Sequence, residues 1–408
     1  MCDFSFLNMN RTLLISLIAL VLLIGIGAGA YFFLFALKPS VSVAPEGSVS
    51  LPTAGQGTTP KSTAPGTVSN TPTTIPVAPG TRLVEISAGP VVPGVAVVDT
   101  KAPNASSTPE VAVSFIERES GNVFSYLNTA RTLTRINNKT IPGIQSAAWL
   151  PNGSMAFVRY LSGPDLATIN TYALSATSSN GFFLPQNLAD VQVASTSILT
   201  LTSGVNGSIG STLRTDGTHA TNLFTTPLTA ARIAYAGKSQ YVVFTKPAAT
   251  LLGDAFLVDA TGHFSRVAGP LNGLVALPSH SGKWVLVSFT ENSQMRLQLV
   301  DTTTSAAITL PVSTIADKCV WTADDSSIYC GIPSSTVGNY PDDWYQGAAH
   351  FSDRIWKINV ANRYAQFVLD FSGAKKGDLD AATLAVDPKD TVLVFLNKND
   401  GSLWSYSL

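Results

Sequence analysis

The sequence predicts an all-β fold, a seven-bladed β-propeller, preceded by an N-terminal transmembrane helix and a disordered linker. Three observations carry this. A 25-residue apolar segment without a charge, Leu13–Leu37, follows a short N-terminal head of residues 1–12. A stretch rich in Pro, Ser and Thr spans residues 38–80. Beyond it, over residues 81–408, one hairpin pattern recurs at near-regular intervals.

The apolar segment at about 1.5 Å per residue exceeds the roughly 30 Å hydrocarbon core of a bilayer. A cleaved signal peptide needs an apolar region of only about 7–15 residues. Ala28-Gly29-Ala30 could serve as a cleavage site, but the run continues through Tyr31, Phe32 and Phe33. An uncleaved signal anchor over residues 13–37 is therefore expected, with the membrane as partner. Cys2 precedes the segment and is not placed like a lipoprotein anchor cysteine. Arg11 and Lys38 flank the segment almost evenly, so charge bias alone leaves orientation open. A lone anchor after a brief polar head favours a short cytoplasmic N-terminus and an exported C-terminal part, in the periplasm or at the cell surface.

Residues 38–80 hold eight prolines, and Lys38, Glu46 and Lys61 are their only charges. Such a segment cannot bury enough apolar surface to offset its ordering entropy. As a linker it would reach roughly 35 Å as a coil and up to about 130 Å in polyproline form.

In the repeat, Ser146–Tyr160 reads SAAWLPNGSMAFVRY: an aromatic, a tight polar turn and an apolar return. Asn and Gly tolerate positive φ in such turns. Asp317–Gly331 (DKCVWTADDSSIYCG), Ala231–Lys246, Leu274–Phe289, Val191–Leu201 and Leu384–Leu396 repeat the plan. Anchors at Trp149, Val193, Tyr235, Ala276, Trp321 and Val386 lie 44, 42, 41, 45 and 65 residues apart, so the last interval holds an insertion. A second hairpin follows each copy, as in Asp254–Ala268 and Arg354–Leu369. Four strands per period of about 40–45 residues is the pattern of a propeller blade.

Blade one is expected from Val91–Asp99, Val111–Glu117, Asn122–Leu127 and Thr132–Ile136. The last copy reaches its third strand in Gly401–Leu408, and Thr81–Ser87 is a spare strand. That strand is expected to complete the last blade, which closes the ring and makes seven blades.

The hairpin W-x-P-N-G-S, with its variants V-D-P-K-D and W-T-A-D-D-S, resembles the TolB-like branch of WD-repeat-like propellers over about Arg82 to Leu408. No Trp-Asp dipeptide ends a blade, so the eukaryotic WD signature is missing. The resemblance implies a bacterial envelope propeller. It implies architecture more than function, since propellers host binding, scaffolding and catalysis alike.

Charged residues make up 12% of the chain and the net charge is -1, which excludes the basic footprint of a nucleic-acid binder. His219, His263, His280 and His350 show no metal-ligand spacing, and the first three fall in expected hairpin turns. Cys-x-x-Cys, His-Glu-x-x-His and Gly-x-Ser-x-Gly patterns are absent, and Gly282-Lys283 lacks the glycines of a phosphate loop. No cofactor, metal or catalytic residue is predicted. Glu117 and Glu119 read as a solvated hairpin tip.

The insertion, Ile332–Asp353, holds the candidate ligand- or partner-binding residues: Tyr340, Asp342, Asp343, Trp344, Tyr345, His350 and Asp353. Aromatics beside acids suit peptide, sugar or cationic ligands. Three readings stand open: a loop that folds back and plugs its own blade, a loop that binds a protein, peptide or glycan, or a Ca²⁺ site through Asp342, Asp343 and Asp353. A turn centred between Asp324 and Asp325 pairs Trp321 with Ile328 and Cys319 with Cys330. The two cysteines then form either a disulfide or two buried thiols. The expected function is a binding or scaffolding module at the cell envelope. The alternative is an envelope hydrolase or lyase with acidic residues along the propeller axis.

Overall fold

The computed structural model describes residues 72–408 except 79, 88, 103, 104, 179, 335–337 and 374–376. The anchor expected at 13–37 and the linker up to residue 71 lie outside the described residues. No helix among the described residues is long and apolar enough to cross a membrane.

The described chain is a seven-bladed β-propeller. Alternating apolar and polar residues make each strand two-faced, and polar turns between them build antiparallel four-stranded sheets. Blade one runs from Ala96–Ala102 at the axis to Thr132–Asn137 outside. Blades two to six follow in chain order, with first strands at Ile144–Trp149, Leu188–Val193, Ala231–Tyr235, Val275–Pro278 and Cys319–Trp321. Blade seven holds Ala381–Val386, Val392–Asn397 and Leu403–Ser407, and its outer strand is Leu83–Ser87 from the other end of the domain. The ring closes as the spare-strand argument requires.

A single sheet leaves both faces wet, so the core lies between blades. Val123 and Ile116 of blade one pack with Ile144, Ala156 and Leu174 of blade two. Val84, Val394 and Leu403 of blade seven pack with Val113, Phe115 and Tyr126 of blade one. The first strands of neighbouring blades approach one another around the axis.

Composition places the end of the linker at residue 80, and here the structure differs. Thr73–Thr74 pairs with Thr132 and Leu133 as a fifth strand of blade one. Ile75 and Val77, two residues apart, pack on the core between blades seven and one. Arg131 donates to the carbonyls of Val77, Ala78 and Thr81. Proline costs nothing at a sheet edge where its nitrogen faces solvent, so composition hides this short attachment.

In every blade, the second-to-third strand connections and the blade-to-blade crossings lie on one side of the ring. The blade-six insertion belongs to this side, termed the insertion face. The other turns form the opposite face.

Candidate functional site

The insertion leaves the second strand of blade six, Ser327–Pro333, and returns at Asp353–Asn359. Its centre is a one-turn helix, Asp342–Tyr345. That turn directs Trp344 inward and Tyr345 outward.

Trp344 is buried, and its Nε1 donates to both carboxylate oxygens of Asp380, at 2.9 and 3.2 Å. The Phe351 amide donates to the same carboxylate at 3.1 Å. Beneath them, Lys318 is fully buried between two acids, Asp353 at 2.8 Å and Asp380. Its ammonium also donates to the Ala381 carbonyl at 3.0 Å and stands 4.9 Å from the ring centres of Trp344 and Phe351. A buried ammonium needs this full set of acceptors, since an unpaired one would be strongly destabilising. Burial pushes the Asp353 carboxyl up to about 6, against the pull of Lys318 and with a further push from Asp380.

The rim of the loop is tied to other blades. Asp342 accepts from the Ala249 amide of blade four at 2.8 Å. Thr290 of blade five donates to the Tyr340 carbonyl at 2.7 Å. Gly273 permits this approach, because a Cβ there would lie 2.6 Å from that carbonyl oxygen. Tyr345 donates its hydroxyl to Asp317 at 2.6 Å, and Arg232 of blade four pairs with Asp317 at 2.7 Å and reaches the Tyr345 oxygen at 3.2 Å. Burial of the hydroxyl end and the Asp317 charge raise the Tyr345 phenol well above its ordinary range, although the ring edge is exposed.

The seven sequence-selected residues therefore divide. Tyr340, Trp344 and Asp353 form the floor that closes the loop onto blade six. Tyr345 and His350 reach solvent. Asp342, Asp343 and Asp353 are not brought to one point: the first caps Ala249, the second accepts from the Asn339 amide at 3.1 Å, and the third holds Lys318. Among the described residues no group of three His, Cys, Asp or Glu side chains could hold a metal ion. Sequence reasoning missed Lys318, Asp380, Arg232 and Asp317. Their signal was a charged residue at or just before the first strand of a blade, where strand heads converge on the axis.

On the opposite face the axial hollow, about 260 Å³, is lined mainly by apolar groups, among them Trp149, Pro151, Trp321 and Leu384, with His280 at its edge. The insertion face is different. Of ten exposed large apolar side chains among the described residues, seven lie on it: Leu161, Leu166, Val205, Ile209, Leu251, Leu252 and Tyr345. Six of these come from the second-to-third strand connections, or the strand ends beside them, of blades two, three and four.

No protein-family model and no curated protein matches the chain. Solved structures do. An oligogalacturonate lyase in complex with manganese is 11% identical, with a TM-score of 0.50, over 79% of this chain and 98% of that one. An oligogalacturonate lyase from Vibrio parahaemolyticus is 8% identical, with a TM-score of 0.53, over 80% and 93%. The propeller domain of the Trilobed protease from Pyrococcus furiosus is 9% identical, with a TM-score of 0.50, over 78% and 95%. At such identities the likeness is one of fold, and the chain is a seven-bladed β-propeller of the kind these proteins share.

Proposed function

We propose that the chain is a membrane-tethered binding module of the cell envelope that presents its insertion face to a protein partner. The observation that carries this is the gathering of seven of ten exposed large apolar side chains on that one face. Clustered exposed apolar groups on a soluble domain mark interaction surfaces, whereas scattered ones need no explanation. The acids near the axis support binding rather than chemistry: Asp317 is held by Arg232 and Tyr345, and Asp353 and Asp380 are buried on Lys318. The uncharged run 13–37 supplies the tether, with the propeller outside the cytoplasm.

The test is capture of envelope proteins by the full chain, beside a variant carrying Val205→Asp and Leu251→Asp and one lacking residues 334–349. A partner retained by the wild type and lost by the first variant, with its melting temperature unchanged, supports the reading. Equal capture by all three counts against it.

A second reading, a lyase, is favoured by the two oligogalacturonate lyases of similar fold. Its natural centre in this chain is the Tyr345 hydroxyl beside Asp317 and Arg232. Incubation of the full chain with oligogalacturonate, followed by absorbance of an unsaturated product, tests it.

A further inference from the structure

Blades two, three and four meet on the insertion face around a cleft of about 440 Å³. Three cations line it: Arg159 from blade two, and Arg232 and Lys246 from blade four. Arg232 is already neutralised by Asp317. The other two form no ion pair, although the Asp190 charge acts on Arg159. Lys246 is exposed, and its ammonium has no hydrogen-bond or ion-pair partner among the described residues. Arg159 donates from Nη2 to the carbonyls of Leu188 and Ala189, at 2.5 and 3.3 Å, while its buried Nε has no partner.

The carboxylate that lines the cleft, Asp190, already has three donors. Its Oδ1 accepts from the Val191 amide and Gln192 Nε2, at 2.8 and 3.2 Å, and its Oδ2 accepts from the Ile233 amide at 3.0 Å. It forms no ion pair with either cation. A partly desolvated guanidinium beside a free ammonium is a site for an anion, and a planar carboxylate matches the guanidinium fork.

The surroundings of the cleft narrow the ligand. Leu161 stands two residues beyond Arg159 on the same strand, Val205 two beyond Ser203 of the cleft wall, and Leu251 five beyond Lys246. Val205 is 94% exposed and Leu251 67%. Aliphatic tips around a cationic centre fit a carboxylate flanked by aliphatic side chains, and fit a hydroxyl-rich sugar acid poorly.

We propose that the Arg159–Lys246 cleft receives an acidic side chain from an aliphatic-flanked segment of the partner protein. This rests on the insertion face being the binding face. The probe is the peptide acetyl-Leu-Glu-Leu-Glu-Leu-amide, titrated into the full chain beside its Gln counterpart and beside glucuronate. Binding of the Glu peptide is expected, weakened roughly tenfold or more by Glu-to-Gln replacement and by Lys246→Glu, with the melting temperature of that variant unchanged. Arg159→Lys, which keeps the charge and loses the fork, is expected to weaken the peptide as well. Equal binding of the two peptides, no binding, or indifference to Lys246→Glu overturns the proposal. So does glucuronate binding with the same Lys246 dependence in place of the peptide. If Val205→Asp with Leu251→Asp abolishes partner capture while Lys246→Glu leaves it intact, the binding face stands and the cleft fails.

Discussion

Trp321 donates its indole Nε1 hydrogen to the Leu277 carbonyl, 3.2 Å away across the boundary between blades five and six. Trp149 makes the equivalent bond to Gly94 of the preceding segment at 3.1 Å, and the Tyr235 hydroxyl meets Ser197 of blade three at 2.9 Å. The repeated aromatic anchor is therefore a bolt to the blade before it. Trp321→Phe keeps most of the ring and removes only this bond to the carbonyl. It is expected to cost about 1–2 kcal/mol, while Trp321→Ala costs about 3–5 kcal/mol through the cavity. Denaturant unfolding of both variants checks this; equal losses would show that the bond contributes nothing beyond volume.

Ring closure gives a second expectation. Val84 and Ile86 are buried, and Arg82 lies over the Tyr406 ring at 4.7 Å. Removing residues 1–71 is expected to leave stability unchanged. Removing 1–80 strips two of the three carbonyl acceptors of Arg131, with Ile75 and Val77, and is expected to lower the melting temperature by a few degrees. Removing 1–90 opens blade seven and is expected to lower it further. Calorimetry of the three truncated chains checks the order, and equal melting temperatures for the last two would contradict closure by Leu83–Ser87.

The disulfide gives a third. In the structure Cys319 and Cys330 face each other in register and their sulfurs are bonded, with Cα atoms 4.1 Å apart. Mass spectrometry of the unreduced, alkylated protein is expected to show the linked peptides. Because the sequence separation is 11, the closed loop is short, and Cys319→Ser with Cys330→Ser is expected to cost about 2–3 kcal/mol. Alkylation of both thiols in the unreduced protein would show them free.

The fold was legible because its signals are local and repeated. Alternation, a turn and an anchor residue, aromatic at Trp149, Tyr235 and Trp321, recur at spacings a blade imposes, and the long interval to Val386 marks the insertion. The pairing of Cys319 with Cys330 followed from the turn at Asp324 and Asp325 alone. The attachment of Ile75 and Val77 was hidden because two apolar residues among prolines carry no periodicity. The site was legible only as a place. Lys318, Asp380 and Arg232 come from three blades, so the networks around Trp344 and Tyr345 exist only after the ring has assembled. What sequence offered was a charge at a strand head, which reads equally well as a solvated loop end.

The buried Lys318 network makes stability depend on pH in a direction opposite to most carboxylates. Asp353 titrates near 6 in the folded chain, against 3.8 for the ordinary group, because burial disfavours its charge. Between those values the folded state holds the proton that the unfolded state has released. Its contribution is therefore fully present below about pH 4 and is lost as pH rises through about 6. Asp324, whose hydrogen bonds to Ser326 and Thr322 hold its carboxyl down at about 2, acts in the opposite sense, with its contribution lost as pH falls through about 2. The total curve mixes such terms, so the quantity to measure is the difference between wild type and Asp353→Asn. Asn can still accept from the Ala381 amide, which reaches Asp353 at 2.7 Å, but it has no proton to release. The stability advantage of wild type over Asp353→Asn is expected to shrink as pH rises from about 4 to about 6, and to stay level above about 7. Urea unfolding of both proteins at half-unit pH steps measures it. A difference that is flat across the range, or that grows with pH, would show that Asp353 is charged beside Lys318 throughout.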